Sequence, residues 1–114
     1  MSFENAGRLS GDLANWKASG EWLDLCGHKI FVKDEGDSQL PTLLLIHGFP
    51  TSSWDWSGVW DELKTRFRLV ALDMLGFGYS DKPNVSTYSI HGQADIVEAL
   101  VAAKSLDQFH VLAH

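Results

Sequence analysis

The 114-residue chain carries nine Lys and Arg against fifteen Asp and Glu, a formal net charge of -6, and is 45% hydrophobic and 21% charged. That is globular composition rather than the profile of a disordered chain, and a domain of this size can bury roughly two thirds of its unfolded surface. An acidic balance without a Lys or Arg cluster excludes a phosphate-tracking nucleic-acid surface, and no apolar run approaches the roughly 20 residues that span a bilayer.

The opening MSFENAGRLSGDLANW lacks the basic-then-apolar order of a signal peptide, so a cytoplasmic protein with no membrane partner is expected. Residues 1–19 read as an arm or short helix: Leu9, Leu13 and Trp16 fall at helical spacing, while Gly7 and Gly11 work against it. Residues 20–114 read as one core. Glu21 to Leu25 and Lys29 to Lys33 flank Cys26-Gly27-His28 as the arms of an antiparallel hairpin. Cys26 is the single cysteine, so the chain forms no internal disulfide, and its place in a turn favours a structural over a nucleophilic role. Asp34 to Pro41 reads as a polar connection.

Thr42 to Ile46 is continuously apolar, as in a strand covered on both faces, and runs into His47-Gly48-Phe49-Pro50. Thr51, Ser52, Ser53 and Asp55 are all competent helix caps, and Trp56, Val59, Trp60 and Leu63 recur at helical spacing up to Lys64. Arg68 to Asp73 is a second buried strand, after which Gly76, Gly78 and Pro83 enforce an irregular loop. Ser89 caps a helix with an apolar stripe through Ile90, Ala94, Val97 and Leu100, leaving Gln93, Asp95 and Glu98 outside it. Phe109 to Ala113 is a third buried strand. The order strand, helix, strand, helix, strand predicts an α/β fold with a parallel sheet. Reacting groups in such sheets gather at the carboxyl ends of the strands, here His47 to Pro50, Asp73 to Ser80 and His114.

Gly48 lets the backbone turn sharply enough for the Phe49 amide to point into a pocket, where a fixed N–H can stabilise an oxyanion. A plain strand-to-helix turn is the alternative reading of the same spacing. Pro50 cannot donate a hydrogen bond and is suited to a cis peptide that fixes the loop. His47 reads as a brace for that loop rather than as an acid or base. His110 and His114 stand four apart, but no Cys or carboxylate adjoins them to complete a metal site, and none is expected. Gly76-Phe77-Gly78 lacks the third glycine and the immediate helix of a dinucleotide fingerprint, so no cofactor is expected. Trp54, Trp56 and Trp60 suit helix-face packing, with Trp54 a candidate for the pocket wall. Asp73 and Asp81 read as organisers of backbone amides rather than as a catalytic pair.

HGFPTSSWDW, ALDMLGFGYSDKP and YSIHGQADIVEALV, in that order, resemble the start of the α/β-hydrolases over about residues 20 to 114. The likeness is to the epoxide-hydrolase and haloalkane-dehalogenase branch, and within it to the mesoderm-specific-transcript subgroup. It implies that Phe49 supplies an oxyanion-hole amide supported by His47, Gly48 and Pro50, and that GFGYS follows the fourth strand. It also implies a later lid, catalytic acid and His. Dehalogenases commonly place Asn where Phe49 stands, so Phe49 favours ester or epoxide chemistry over halide chemistry. His114 matches the residue before the nucleophile on its elbow, which makes the next residue the expected attacking group, Asp or Ser.

The chain is thus expected to be the N-terminal half of a hydrolase core, inactive alone. Its partners are then the remaining C-terminal part of the same hydrolase and a small-molecule substrate. A non-catalytic hydrolase-like binding module, or an inactive truncated fragment, is the competing expectation.

Overall fold

The computed structural model describes residues 12–83 and 89–114. Leu9 and the two early glycines lie outside that range, whereas residues 12–18 form a helix, α1, that carries Trp16. Five strands follow: β1 (Glu21–Leu25), β2 (His28–Glu35), β3 (Thr42–Ile46), β4 (Arg68–Leu72) and β5 (Phe109–Ala113). A 3-10 turn (Ser53–Trp56) leads into helix α2 (Ser57–Lys64) between β3 and β4, and helix α3 (Ile90–Ala103) lies between β4 and β5.

The sheet order is β1-β2-β4-β3-β5, antiparallel from β1 through β2 to β4 and parallel from β4 through β3 to β5. The α/β class expected from the sequence is therefore present as a mixed sheet, with β3 between the two strands that follow it. The hairpin closes through Cys26 and Gly27, both at positive φ (53° and 81°), the type I′ geometry whose twist matches the flanking strands. β2 runs further than its apolar residues suggest. Asp34 and Glu35 continue the ladder against Val70 and Leu69, and their carboxylates are held by Arg68 and Lys104 and by Lys33 and Lys64. Ion pairing lets two acids extend a strand that hydropathy alone would end at Lys33.

The twofold alternation of the strands sorts their side chains into two cores. Ile30, Val32, Leu44, Val70 and Leu72 face α3, where they meet Ile96 and Leu100. Phe31, Leu43, Leu45, Leu69 and Ala71 face the other way, against Trp16, Trp56 and Trp60. On that second face Lys33 is buried beneath aromatic rings, its Nζ 4.1 Å from the Trp16 ring centre and 2.8 Å from Glu35 Oε1. Among the described residues β5 pairs with β3 alone, and Val111 and Leu112, on opposite faces, remain 55% and 39% exposed. Among the described residues no helix is long and apolar enough to cross a membrane.

Candidate active site at the strand ends

The carboxyl end of β3 turns immediately. Gly48 O accepts a 3.1 Å hydrogen bond from Thr51 N and a 2.6 Å bond from Thr51 Oγ1, and the Phe49–Pro50 peptide between them is cis, a type VI turn. His47 is buried and faces two ways. Its Nδ1 stands 2.8 Å from Gly48 O and its Nε2 2.9 Å from Met74 N. A carbonyl only accepts and an amide only donates, so the ring is neutral with its proton on Nδ1. His47 thus links the turn after β3 to the loop after β4.

Asp73, the first residue beyond β4, is buried as a carboxylate acceptor. Its Oδ1 takes the Ser53 N–H at 2.7 Å and its Oδ2 the Tyr79 N–H at 2.8 Å. A Cβ on Gly78 would lie 2.1 Å from Asp73 Oδ2, and Gly78 sits at φ +54°, so only glycine fits there. Ser80 Oγ donates to Asp73 O and accepts from Phe31 N, while Asp81 Oδ2 accepts from Lys29 N. The two aspartates do organise backbone amides, but across the fold rather than within local turns.

Gln93 corrects the sequence reading of α3. Assigned to the outer face, it instead clamps Leu75, accepting from Leu75 N at 3.2 Å and donating to Leu75 O at 2.9 Å. An amide side chain offers both a donor and an acceptor, so it can replace a strand neighbour for a loop residue. The signal available in the sequence was a Gln one helical turn from the Ser89 cap.

Between the strand ends and α3 lies a cleft of about 870 Å³ bounded by Ile46, Phe49, Met74, Phe77, Ile90 and Val97, with Glu98 at its rim. Phe49 is 85% exposed and meets Phe77 edge to face, ring centres 5.4 Å apart. His114 reaches the same end of the sheet. Its N–H donates to Ile46 O at 3.1 Å, its carbonyl lies against Gly48, and its ring faces Asp55 and Trp56. Trp54 is placed elsewhere, packed on Trp16 beside a second cleft that contains Lys33 and Trp60. Trp56 and Trp60 are buried helix-face residues, and among the described residues the Trp56 indole N–H has no acceptor. His110 lies on the β5 edge near Phe67, and no group of three or more His, Cys, Asp or Glu among the described residues is arranged to hold a metal.

An open α/β sheet in which the turns after β3 and β4 and the His114 end of β5 lie at one end defines the class of protein that places its ligand site there. A model of the α/β-hydrolase fold matches residues 41–114, and the chain belongs to that family. It is 45% identical over 114 residues to the human (Homo sapiens) mesoderm-specific transcript homolog protein, covering 94% of this chain and 33% of that protein. Among solved structures, a membrane phospholipase A described as a bacterial virulence factor superposes with a TM-score of 0.84 at 30% identity, covering 98% of this chain and 37% of the other. Epoxide hydrolase VrEH1 of Vigna radiata superposes with a TM-score of 0.76 at 28% identity, covering 83% of this chain and 31% of the other. The chain spans about a third of the length of the curated relatives it matches.

Proposed function

We propose that the chain forms the N-terminal half of a hydrolase core working through a covalent intermediate on an ester or epoxide substrate. The observation that carries this is the contact between Gly48 and His114. It sets the turn bearing the Phe49 amide beside the end of β5, where the residue after His114 follows. In this reading that residue is the nucleophile. On an ester, with Ser at that position, the hydroxyl gives its proton to the downstream His as its oxygen attacks the carbonyl carbon, the carbonyl electron pair moves onto oxygen, and the Phe49 N–H donates to the developing oxyanion. Collapse of the intermediate breaks the ester C–O bond and expels the alkoxide, which takes that proton from the His and leaves as the alcohol; water, giving a proton to the same His, then cleaves the acyl-enzyme and restores the hydroxyl.

The likeness to a phospholipase A supports the ester, and the apolar lining of the cleft suits an acyl chain. The likeness to an epoxide hydrolase supports the second reading, in which an Asp at that position opens an epoxide and forms an alkyl ester. The remaining C-terminal part of the hydrolase supplies the lid, acid and His. Neither reading gives a role to a cofactor or a metal.

The test is intact-mass trapping on the full-length protein, offered p-nitrophenyl butyrate and styrene oxide separately. A mass increase of one butyryl group at the residue after His114 supports the ester reading, and addition of one styrene oxide supports the epoxide reading. Turnover that survives Ala at that residue, with no adduct from either compound, overturns both.

A further inference from the structure

Among the described residues, one buried side-chain hydrogen bond joins helix α1 to the segment after β3. Trp16 Nε1 donates to Ser53 Oγ at 3.1 Å, and both residues are buried. Ser53 is also the residue whose N–H is taken by Asp73 Oδ1, so one side chain is held from α1 and its backbone is held from the end of β4. Ser53 opens the 3-10 turn, which only its cap Ser52 separates from Thr51, whose N–H and hydroxyl close the turn around Phe49. The Trp16 ring is itself fixed on three sides: edge to face with Trp54 at 5.5 Å, with Trp60 at 4.9 Å, and over the Lys33 ammonium. An indole held this firmly presents its N–H in one direction, and that direction is Ser53.

We infer that Trp16 is a positioning residue: through Ser53 it holds the turn that aims the Phe49 amide, so that docking of α1 sets the geometry of the strand-end site. The inference rests on the reading of Phe49 as an oxyanion donor. Trp16 touches neither substrate nor reacting atoms; it acts through Ser53. Trp16 is no member of the β2–β4 or β3–β4 ladder, so in this inference a chain with α1 displaced keeps its strand pairing but loses the fixed position of the turn.

The experiment uses the full-length protein and three variants: Trp16→Phe, which keeps the ring and removes the N–H; Ser53→Ala, which removes its acceptor; and Trp56→Phe, a buried tryptophan of the same face with no acceptor among the described residues to lose. Deuterium exchange is followed over 47–56 and over β3 and β4, together with hydrolysis of p-nitrophenyl butyrate. Loss of one buried hydrogen bond predicts exchange up to about tenfold faster over 47–56 in Trp16→Phe and Ser53→Ala, with the strands unchanged. It also predicts kcat several-fold lower at unchanged KM, a double variant no worse than either single one, and Trp56→Phe like wild type.

Unchanged exchange over 47–56, or a uniform rise that includes β3 and β4, overturns the inference. So does faster exchange with kcat intact in an active wild type. If the wild type hydrolyses no ester or epoxide while the local exchange change is seen, the hydrolase reading falls and the Trp16–Ser53 tether stands.

Discussion

Gly48 and His114, far apart in sequence, meet backbone to backbone: a Cβ built on Gly48 would stand 2.6 Å from the carbonyl oxygen of His114. The obstacle is main chain anchored by the His114 N–H bond to Ile46 O, so it cannot swing aside as a side-chain tip would. Gly48→Ala is therefore expected to push the end of β5 from β3 and to cost about 1–3 kcal/mol of stability, as overpacking does. Urea denaturation checks the stability, and loss of turnover in the full-length protein at temperatures where it stays folded checks the site.

Asp73→Asn tests the other corner. An amide has one acceptor oxygen, so either Ser53 N–H or Tyr79 N–H would face an NH₂ group instead of a carboxylate oxygen. The expected loss is about 2–3 kcal/mol, the range for a charged hydrogen bond replaced by an unpaired buried donor. A midpoint shift by thermal denaturation smaller than that of an exposed Asp→Asn control would contradict it.

Gln93→Leu removes both halves of the clamp on Leu75 while keeping an apolar body in the cleft wall. About 1–2 kcal/mol of destabilisation is expected, with Gln93→Glu intermediate because it still accepts from the Leu75 N–H. Hydrogen exchange at the Leu75 amide should rise in the Leu variant and change less in the Glu variant.

Acid sensitivity follows from the carboxylates that extend β2. Burial raises the Asp34 carboxyl, but hydrogen bonds from Arg68 and then Lys104 more than reverse this and hold it below its ordinary value. Glu35 behaves alike, burial being overcome by Lys33 and Lys64. A group that titrates lower when folded stabilises fully above its unfolded pKa of about 4 and loses that contribution as pH falls through the folded value. Lys104 is opposite in sign: burial lowers it, Glu21 and Asp34 raise it further, and its contribution fades only as pH climbs past about 10.4. Urea melts from pH 2 to 8 should show stability falling below about pH 4, with a shallower slope in Asp34→Asn.

Much of this was legible in the amino-acid order. Thr42–Ile46, Phe109–Ala113 and the Ser89-capped helix are local signals, and the structure places each where its pattern lies. The cis Phe49–Pro50 bond also agrees with its Pro. What was not legible depends on partners distant in the chain. Gln93 and Trp16 carry no periodic mark of their roles, because their partners Leu75 and Ser53 come close only after the sheet has formed. Lys33 reads as a polar strand end until the tryptophans cover it. Trp54 illustrates the converse: its place beside HGFP in sequence suggested the pocket wall, yet the 3-10 turn carries its ring to the α1 side.

The β5 edge predicts the behaviour of the 114-residue chain by itself. Its open ladder, flanked by exposed Val111 and Leu112, offers strand pairing and apolar contact together. Sedimentation velocity at rising concentration should show self-association, and Leu112→Lys should reduce it. A monomer at all concentrations would contradict this.

The position of β3 between β4 and β5 has a consequence for biosynthesis. β3 leaves the ribosome before either neighbour, and its second neighbour, pairing Thr42 with Phe109, is made only after α3. Until then the nascent HGFP turn is held from the β4 side, through Met74 and His47, and lacks the His114 backbone against Gly48, so pausing or chaperone capture is expected between the completion of β3 and the arrival of β5.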